Sequence, residues 1–90
     1  MPTPRLSRDA REFIEKLPHK QAKQVLLKIL DLCRKPEPPD SSLLKGPQEG
    51  YRRADIGEYR IIYCVAGDSL EILFIGKRND DEVYRRFSRR

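Results

Sequence analysis

The sequence predicts an α+β fold: an N-terminal antiparallel helix hairpin packed on a small, mainly antiparallel twisted β-sheet, with a short C-terminal helix. Three observations predict it. Apolar residues recur at helical period between Leu6 and Cys33. The proline-rich stretch KPEPPDSS at 35–42 then interrupts the pattern. From 51 to 77 the period falls to two, in segments rich in β-branched and aromatic residues.

Each element has a local cause. Ser7 can cap a helix on which Leu6, Ala10, Phe13, Ile14 and Leu17 share a face, and Pro18 ends it. A second helix over residues 20–35 carries Ala22, Val25, Leu26, Ile29, Leu30 and Cys33 as its apolar stripe, with Lys20, Lys23, Lys28 and Arg34 expected to face water. Residues 35–42 hold three prolines and read as a crossover loop without regular structure. A short strand is expected at 51–55, a turn at IGE, and strands at 59–65 and 69–77 joined by a turn at AGD. Both of these longer strands are apolar at most positions, which predicts central places in the sheet. Asn79 or Asp80 can cap a last helix bearing Val83, Tyr84 and Phe87, whose acidic first turn and basic last turn suit the helix dipole.

Ninety residues make one domain, 1–90, because a chain this short buries only about 60–65% of its unfolded surface. The 19 basic and 14 acidic residues give a net charge of +5, enough to attract nucleic acid but not the charge of a packing protein. The excess is spread through the chain, so its placement carries the information. No run approaches the roughly 18 apolar residues of a membrane span, and the polar start MPTPRLSRDAREF has no signal-peptide core, so a cytoplasmic protein is expected. Cys33 and Cys64 read as reduced core thiols. His19 lacks a partner at metal-ligand spacing and reads as a surface residue opening the second helix.

The candidate site is a set of arginines. Arg52, Arg53 and Arg60 fall in YRRADIGEYRIIYCV, and Arg78 precedes Tyr84 in GKRNDDEVYRRF. Arginine keeps its charge at any cellular pH and presents a planar fork of donors, so several on one sheet face point to phosphates. Strict alternation groups Arg60 with Ile62 and Cys64, and Tyr59 with Ile61, Tyr63 and Val65. On the partner strand it groups Leu70, Ile72, Phe74, Gly76 and Arg78. The strand before places Tyr51, Arg53 and Asp55 on one face and Arg52 and Ala54 on the other, so Arg53 is the arginine expected to join Arg60. The competing reading makes Arg60 and Arg78 ordinary sheet-end charges paired with Glu58, Glu71 or Asp55. Tyr59, Tyr63 and Phe74 read as core residues rather than stacking platforms.

These residues resemble the RelE/ParE superfamily of toxins from bacterial type II toxin–antitoxin pairs. The resemblance covers most of the chain: the helical hairpin, LKG before the sheet, GEYRIIY, the apolar strand, GKR and the VY of the last segment. GKR followed by VY is closer to the RelE branch than to ParE. The resemblance implies a small α+β toxin that enters the ribosomal A site, cuts mRNA without a metal or cofactor, and is silenced by a RelB-like antitoxin. Operator DNA is then a partner only of the toxin–antitoxin complex, and no membrane is involved. Arg60 matches the arginine of G-x-Y-R, Arg78 that of G-K-R and Tyr84 the tyrosine of the V-Y pair. The implied roles are phosphate stabilisation by Arg60 and Arg53, contact of Arg78 with the leaving oxygen or phosphate, and base stacking or proton movement at Tyr84. Arg52, Tyr51, Lys77, Arg85 and Arg86 would hold RNA around them, the last two from the YRRFSRR end, which otherwise reads as a solvated tail.

Two departures from the family pattern stand out. Where RelE toxins carry two lysines at i, i+2 on the strand before G-x-Y-R, this chain has Tyr51 and Arg53. The edge strand that usually precedes the first helix is expected to be short or irregular, because two prolines occupy the first four residues. Besides the mRNA endonuclease, two other functions stay open: a ParE-like inhibitor of DNA gyrase, and a weakly active member serving mainly as an antitoxin-bound autorepressor.

Overall fold

The computed structural model of the chain describes residues 2–44 and 50–78. The elements run β1 (Thr3–Leu6), α1 (Arg8–Glu15), α2 (His19–Arg34), β2 (Ser41–Leu43), β3 (Arg52–Ile56), β4 (Tyr59–Ala66) and β5 (Ser69–Lys77). They form one five-stranded sheet in the order β1-β5-β4-β3-β2. β1 pairs with β5 in parallel and every other pair is antiparallel. The expected terminal helix lies outside the described residues.

β1 is a four-residue edge strand, the position where Pro4 costs the sheet least. Ser7 then turns the chain into α1: its extended backbone lets Oγ accept from the Ala10 N–H at 3.0 Å. The same hydroxyl donates to the Leu73 carbonyl of β5, and the Ser7 N–H donates to Ile72 O at 2.9 Å. One serine thus caps the helix and ties it to the sheet. Phe13, Ile14 and Leu17 pack against the core, with the Phe13 ring meeting Tyr59 edge to face at a centroid distance of 5.8 Å.

α2 buries Val25, Ile29, Leu32 and Cys33, a stripe of helical spacing. Leu26 and Leu30, expected on that stripe, are instead 43% and 47% exposed, as is neighbouring Leu27 at 52%. The contact line runs through Leu32, which turns Leu26 and Leu30 out of the sheet. Lys28, expected in water, lies one turn from Leu32, and its side chain is only 12% exposed. Its stem runs along the apolar surface while Nζ reaches Asp40 Oδ2 at 2.6 Å.

The proline-rich stretch is better ordered than expected. Tyr63 Oη donates to the Pro36 carbonyl at 2.6 Å, and the Ser41 N–H and Oγ both bond Pro38 O. Ser41–Leu43 form β2 on the outer edge of β3, so regular pairing begins inside the segment read as loop. Three edge residues after three prolines carry no alternation to announce themselves.

The strands 52–56, 59–66 and 69–77 lie within a residue of expectation, and both hairpin turns place glycine first. Gly57 and Gly67 have φ of +56° and +59°, which a tight two-residue hairpin requires at that position. The main core joins Tyr59, Ile61 and Tyr63 of β4, Leu70, Ile72 and Ile75 of β5 and Ala54 of β3 to the helices. A second cluster on the opposite face centres on Ile62, with Leu44, Tyr51, Leu73 and Phe74.

β5 does not alternate strictly. Ile62 pairs with Phe74 but Tyr63 pairs with Ile72, leaving Leu73 as an extra residue on β5. The grouping of Leu70 and Ile72 with Phe74, Gly76 and Arg78 therefore fails. Beyond the bulge, Ile75 takes the core face, and Phe74 and Gly76 move to the face of Ile62 and Arg60. Phe74 is accordingly half-buried in the second cluster rather than in the main core.

Among the described residues no helix is long and apolar enough to cross a membrane. Two stability predictions follow from the ties named above. Ser7→Ala should lower stability by about 1–2 kcal/mol, and the melting temperature by roughly 4–8 °C per kcal/mol, in urea and thermal unfolding. The hydrogen bond from Lys28 holds the Asp40 carboxyl below its ordinary 3.8. That contribution is complete above 3.8 and is lost as pH falls through the lowered folded value. The stability gap between wild type and Asp40→Asn should thus be constant near neutrality and close in acid, as read by urea titrations across pH.

Candidate functional site

Strand register assigns each candidate to a face. Arg53 stands opposite Ile62, Asp55 opposite Arg60 and Arg60 opposite Gly76. Directly opposed residues project to the same side, so Arg53, Asp55 and Arg60 share the face that bears Ile62 and Phe74, away from the helices. Tyr51 is half-buried against Ile62 on that face. Arg78 follows Gly76 by two residues; its N–H donates to the Glu58 carbonyl at 2.7 Å, and it is exposed. The bulge at Leu73 brings the Gly76 end of β5 into phase with Arg60.

Arg60 is engaged. Its Nε reaches Asp55 Oδ1 at 2.8 Å and its Nη2 reaches Oδ2 at 3.3 Å, a two-point contact across the β3–β4 pair. The side chains are 16% and 34% exposed, so the pair is shielded by the sheet yet open to solvent. Arg53 and Arg60 share the face, and the competing ion pair of Arg60 with Asp55 is present. The face therefore combines cations with a carboxylate.

Arg52 and Lys77 project to the other side, since Arg52 opposes Tyr63 and Lys77 opposes Tyr59, both core residues. Arg52 donates to Ser41 Oγ at 3.0 Å and lies 3.7 Å from Glu37. It forms one wall of a groove of about 660 Å³ with Arg34, Lys35, Pro36, Leu43 and Val65 near the end of α2. Tyr84, Arg85 and Arg86 lie outside the described residues. The Arg60–Asp55 contact was named from sequence as one pairing among three. The bulge, which sets the phase of the Arg78 end, had no sequence signal beyond an apolar run.

Neither Cys33 nor Cys64 forms a disulfide. Cys33 is in the core, where burial pushes its thiol up. Cys64 is only half-buried because β4 alternation turns it to the face opposite Tyr63, correcting its expected place in the core. His19 is exposed as the first residue of α2. Among the described residues no three His, Cys, Asp or Glu side chains come together as a metal site.

The profile of the family described as ParE toxin of the type II toxin–antitoxin system, parDE, matches residues 5–82. No curated protein matches the sequence. Among solved structures, the chain is similar to one from the toxin–antitoxin complex RelBE2 of Mycobacterium tuberculosis, at 28% identity and TM-score 0.76, covering 87% of this chain and 100% of that one. A chain of the archaeal RelE–RelB complex from Pyrococcus horikoshii shares 24% identity over 87% of this chain and 96% of its own, with TM-score 0.74. The isolated E. coli RelE toxin shares the fold at 18% identity and TM-score 0.74, over 99% of this chain and 97% of its own. The chain belongs to the ParE toxin family of type II toxin–antitoxin systems, within the RelE/ParE superfamily and with a RelE-like fold.

Proposed function

We propose that this toxin is a ribosome-dependent mRNA endonuclease of the RelE kind, acting in the cytoplasm and restrained by a cognate RelB-like antitoxin. The observation that carries the reading is the placement of Arg53 and Arg60 on one sheet face, with Arg78 leaving the adjacent strand end beside them. The solved complexes of RelE-type toxins with their antitoxins support a partner of that class.

The chemistry is transesterification. A ribose 2′-oxygen attacks the neighbouring phosphorus in line, and negative charge grows on the phosphoryl oxygens of a five-coordinate transition state. Arg53 and Arg60, held by paired strands, meet that charge without reorganising. Arg78, at the exposed end of β5, takes the leaving oxygen or a flanking phosphate. Tyr84 is assigned to the base or to proton movement, and Tyr51, Arg52, Lys77, Arg85 and Arg86 to surrounding RNA, with Arg52 and Lys77 reaching it from the sheet's other side. A second reading, inhibition of DNA gyrase, is favoured by the ParE description of the matching family. It needs no arginine cluster tuned to a phosphate.

The test is to map mRNA ends in a purified translation reaction with wild-type protein, Arg60→Ala and Arg78→Ala. The expected outcome is cleavage within the A-site codon, absent without ribosomes and reduced roughly 10²–10³-fold in each variant. Intact mRNA together with gyrase-dependent DNA breaks would replace this reading with the second. Cutting by Arg60→Ala at the wild-type rate would remove the assigned role of that residue.

A further inference from the structure

The proposed cleavage needs a group that takes the proton from the attacking 2′-hydroxyl, a step for which the reading above offers only one of the two roles of Tyr84, outside the described residues. Arginine cannot do so. Among the described residues, the part of the face around Arg60 presents Tyr51, Arg53, Asp55, Ile62, Phe74 and Gly76. Asp55 is the one carboxylate in that set. Glu71, opposite Cys64, is four residues along β4 from Arg60, about 13 Å at roughly 3.3 Å per residue, and pairs with Arg5 at 3.8 Å. Glu58 is exposed in the Gly57–Glu58 turn, beyond the paired strands.

We propose that Asp55 is the general base of the cleavage step, an inference that rests on the nuclease reading above. The argument is one of placement. Asp55 lies in β3, next to the residues Arg52–Ala54 that pair with β2, and directly faces Arg60 of β4, so its position is fixed by register. A phosphate bound by Arg60 therefore lies within reach of the carboxylate that already touches the same guanidinium. With a third of its surface exposed, Asp55 is accessible to the ribose. The Oδ2 contact, at 3.3 Å, is the longer of the two to Arg60, which makes that oxygen the one to receive the proton.

The step balances. The 2′-hydroxyl proton passes to Asp55 as the O2′–P bond forms and the P–O5′ bond breaks. The leaving 5′-oxygen takes a proton from water, and Asp55 returns its own to solvent. The products are a 2′,3′-cyclic phosphate and a 5′-hydroxyl. The charges around Asp55 are Arg60 from β4, Arg53 on its own strand, the Lys28–Asp40 pair at the entrance to β2, and Arg78 with Glu58 beyond Arg60.

The test is the pH dependence of single-turnover mRNA cleavage on programmed ribosomes by wild type, Asp55→Asn, Asp55→Glu and Glu58→Gln, with each fold checked by circular dichroism. Asp55→Asn should lose roughly 10²–10⁴-fold in rate at neutral pH together with the acid limb of the wild-type profile. Asp55→Glu should recover part of the rate and keep the limb, and Glu58→Gln should match wild type. Should Asp55→Asn fail to fold, the limb in Asp55→Glu must still move along the pH axis relative to wild type. An Asp55→Asn protein that cuts at the wild-type rate, or slowly with its acid limb intact, overturns the proposal while leaving the nuclease standing. A wild-type protein that cuts nothing overturns both.

Discussion

The extra residue at Leu73 is the constraint on which the two-faced sheet depends. β5 must give Leu70, Ile72 and Ile75 to the helices, positions whose spacing no strictly alternating strand can supply on one face. The bulge resolves this by inserting Leu73 between two registers, one on each side of Ile62 and Tyr63. Ser7 holds the insertion in place, because the Leu73 carbonyl accepts from the hydroxyl that also caps α1. Helix start, sheet register and the phase of the exposed strand end are set by one small group of atoms. The candidate site inherits its geometry from that junction.

The two faces of the sheet do different work. The helix side is apolar throughout its centre, with no buried polar or charged residue among those described. The other side carries a small apolar cluster round Ile62 and, next to it, Arg53, Asp55 and Arg60. A partly exposed ion pair there contributes little to folding when the cost of ordering both side chains is counted. Its consequence is orientation, since two contacts to one carboxylate fix a guanidinium that would otherwise sample many rotamers. In the proposed function the same rigidity lowers the cost of meeting a phosphate.

Most of the fold was legible in the sequence because its signals are local. Ser7 before an amphipathic run, Pro18 between helices, glycine opening each hairpin and alternation along 59–65 each act within a few residues. What was not legible depends on the third dimension. Leu26 and Leu30 have the spacing of core residues, but the sheet selects the Leu32 side of the helix. Ser41–Leu43 form a strand because β3 offers an edge, not because three residues prefer one. Strict alternation put Phe74 and Gly76 with Leu70, and only pairing against β4 reveals the slip. The site was legible in part: Arg53 with Arg60 followed from alternation, and Asp55 stood among three possible partners until register singled it out.

The claim that the helix-free face is the one that meets RNA can be tested directly by following the arginine side-chain Nε–Hε signals in NMR during titration with a short single-stranded RNA. The account predicts that Arg53, Arg60 and Arg78 shift together and further than Arg52, which is held by Ser41 on the other side. Shifts confined to Arg52 and Arg34 around the opposite groove, with Arg53 and Arg60 silent, would contradict it.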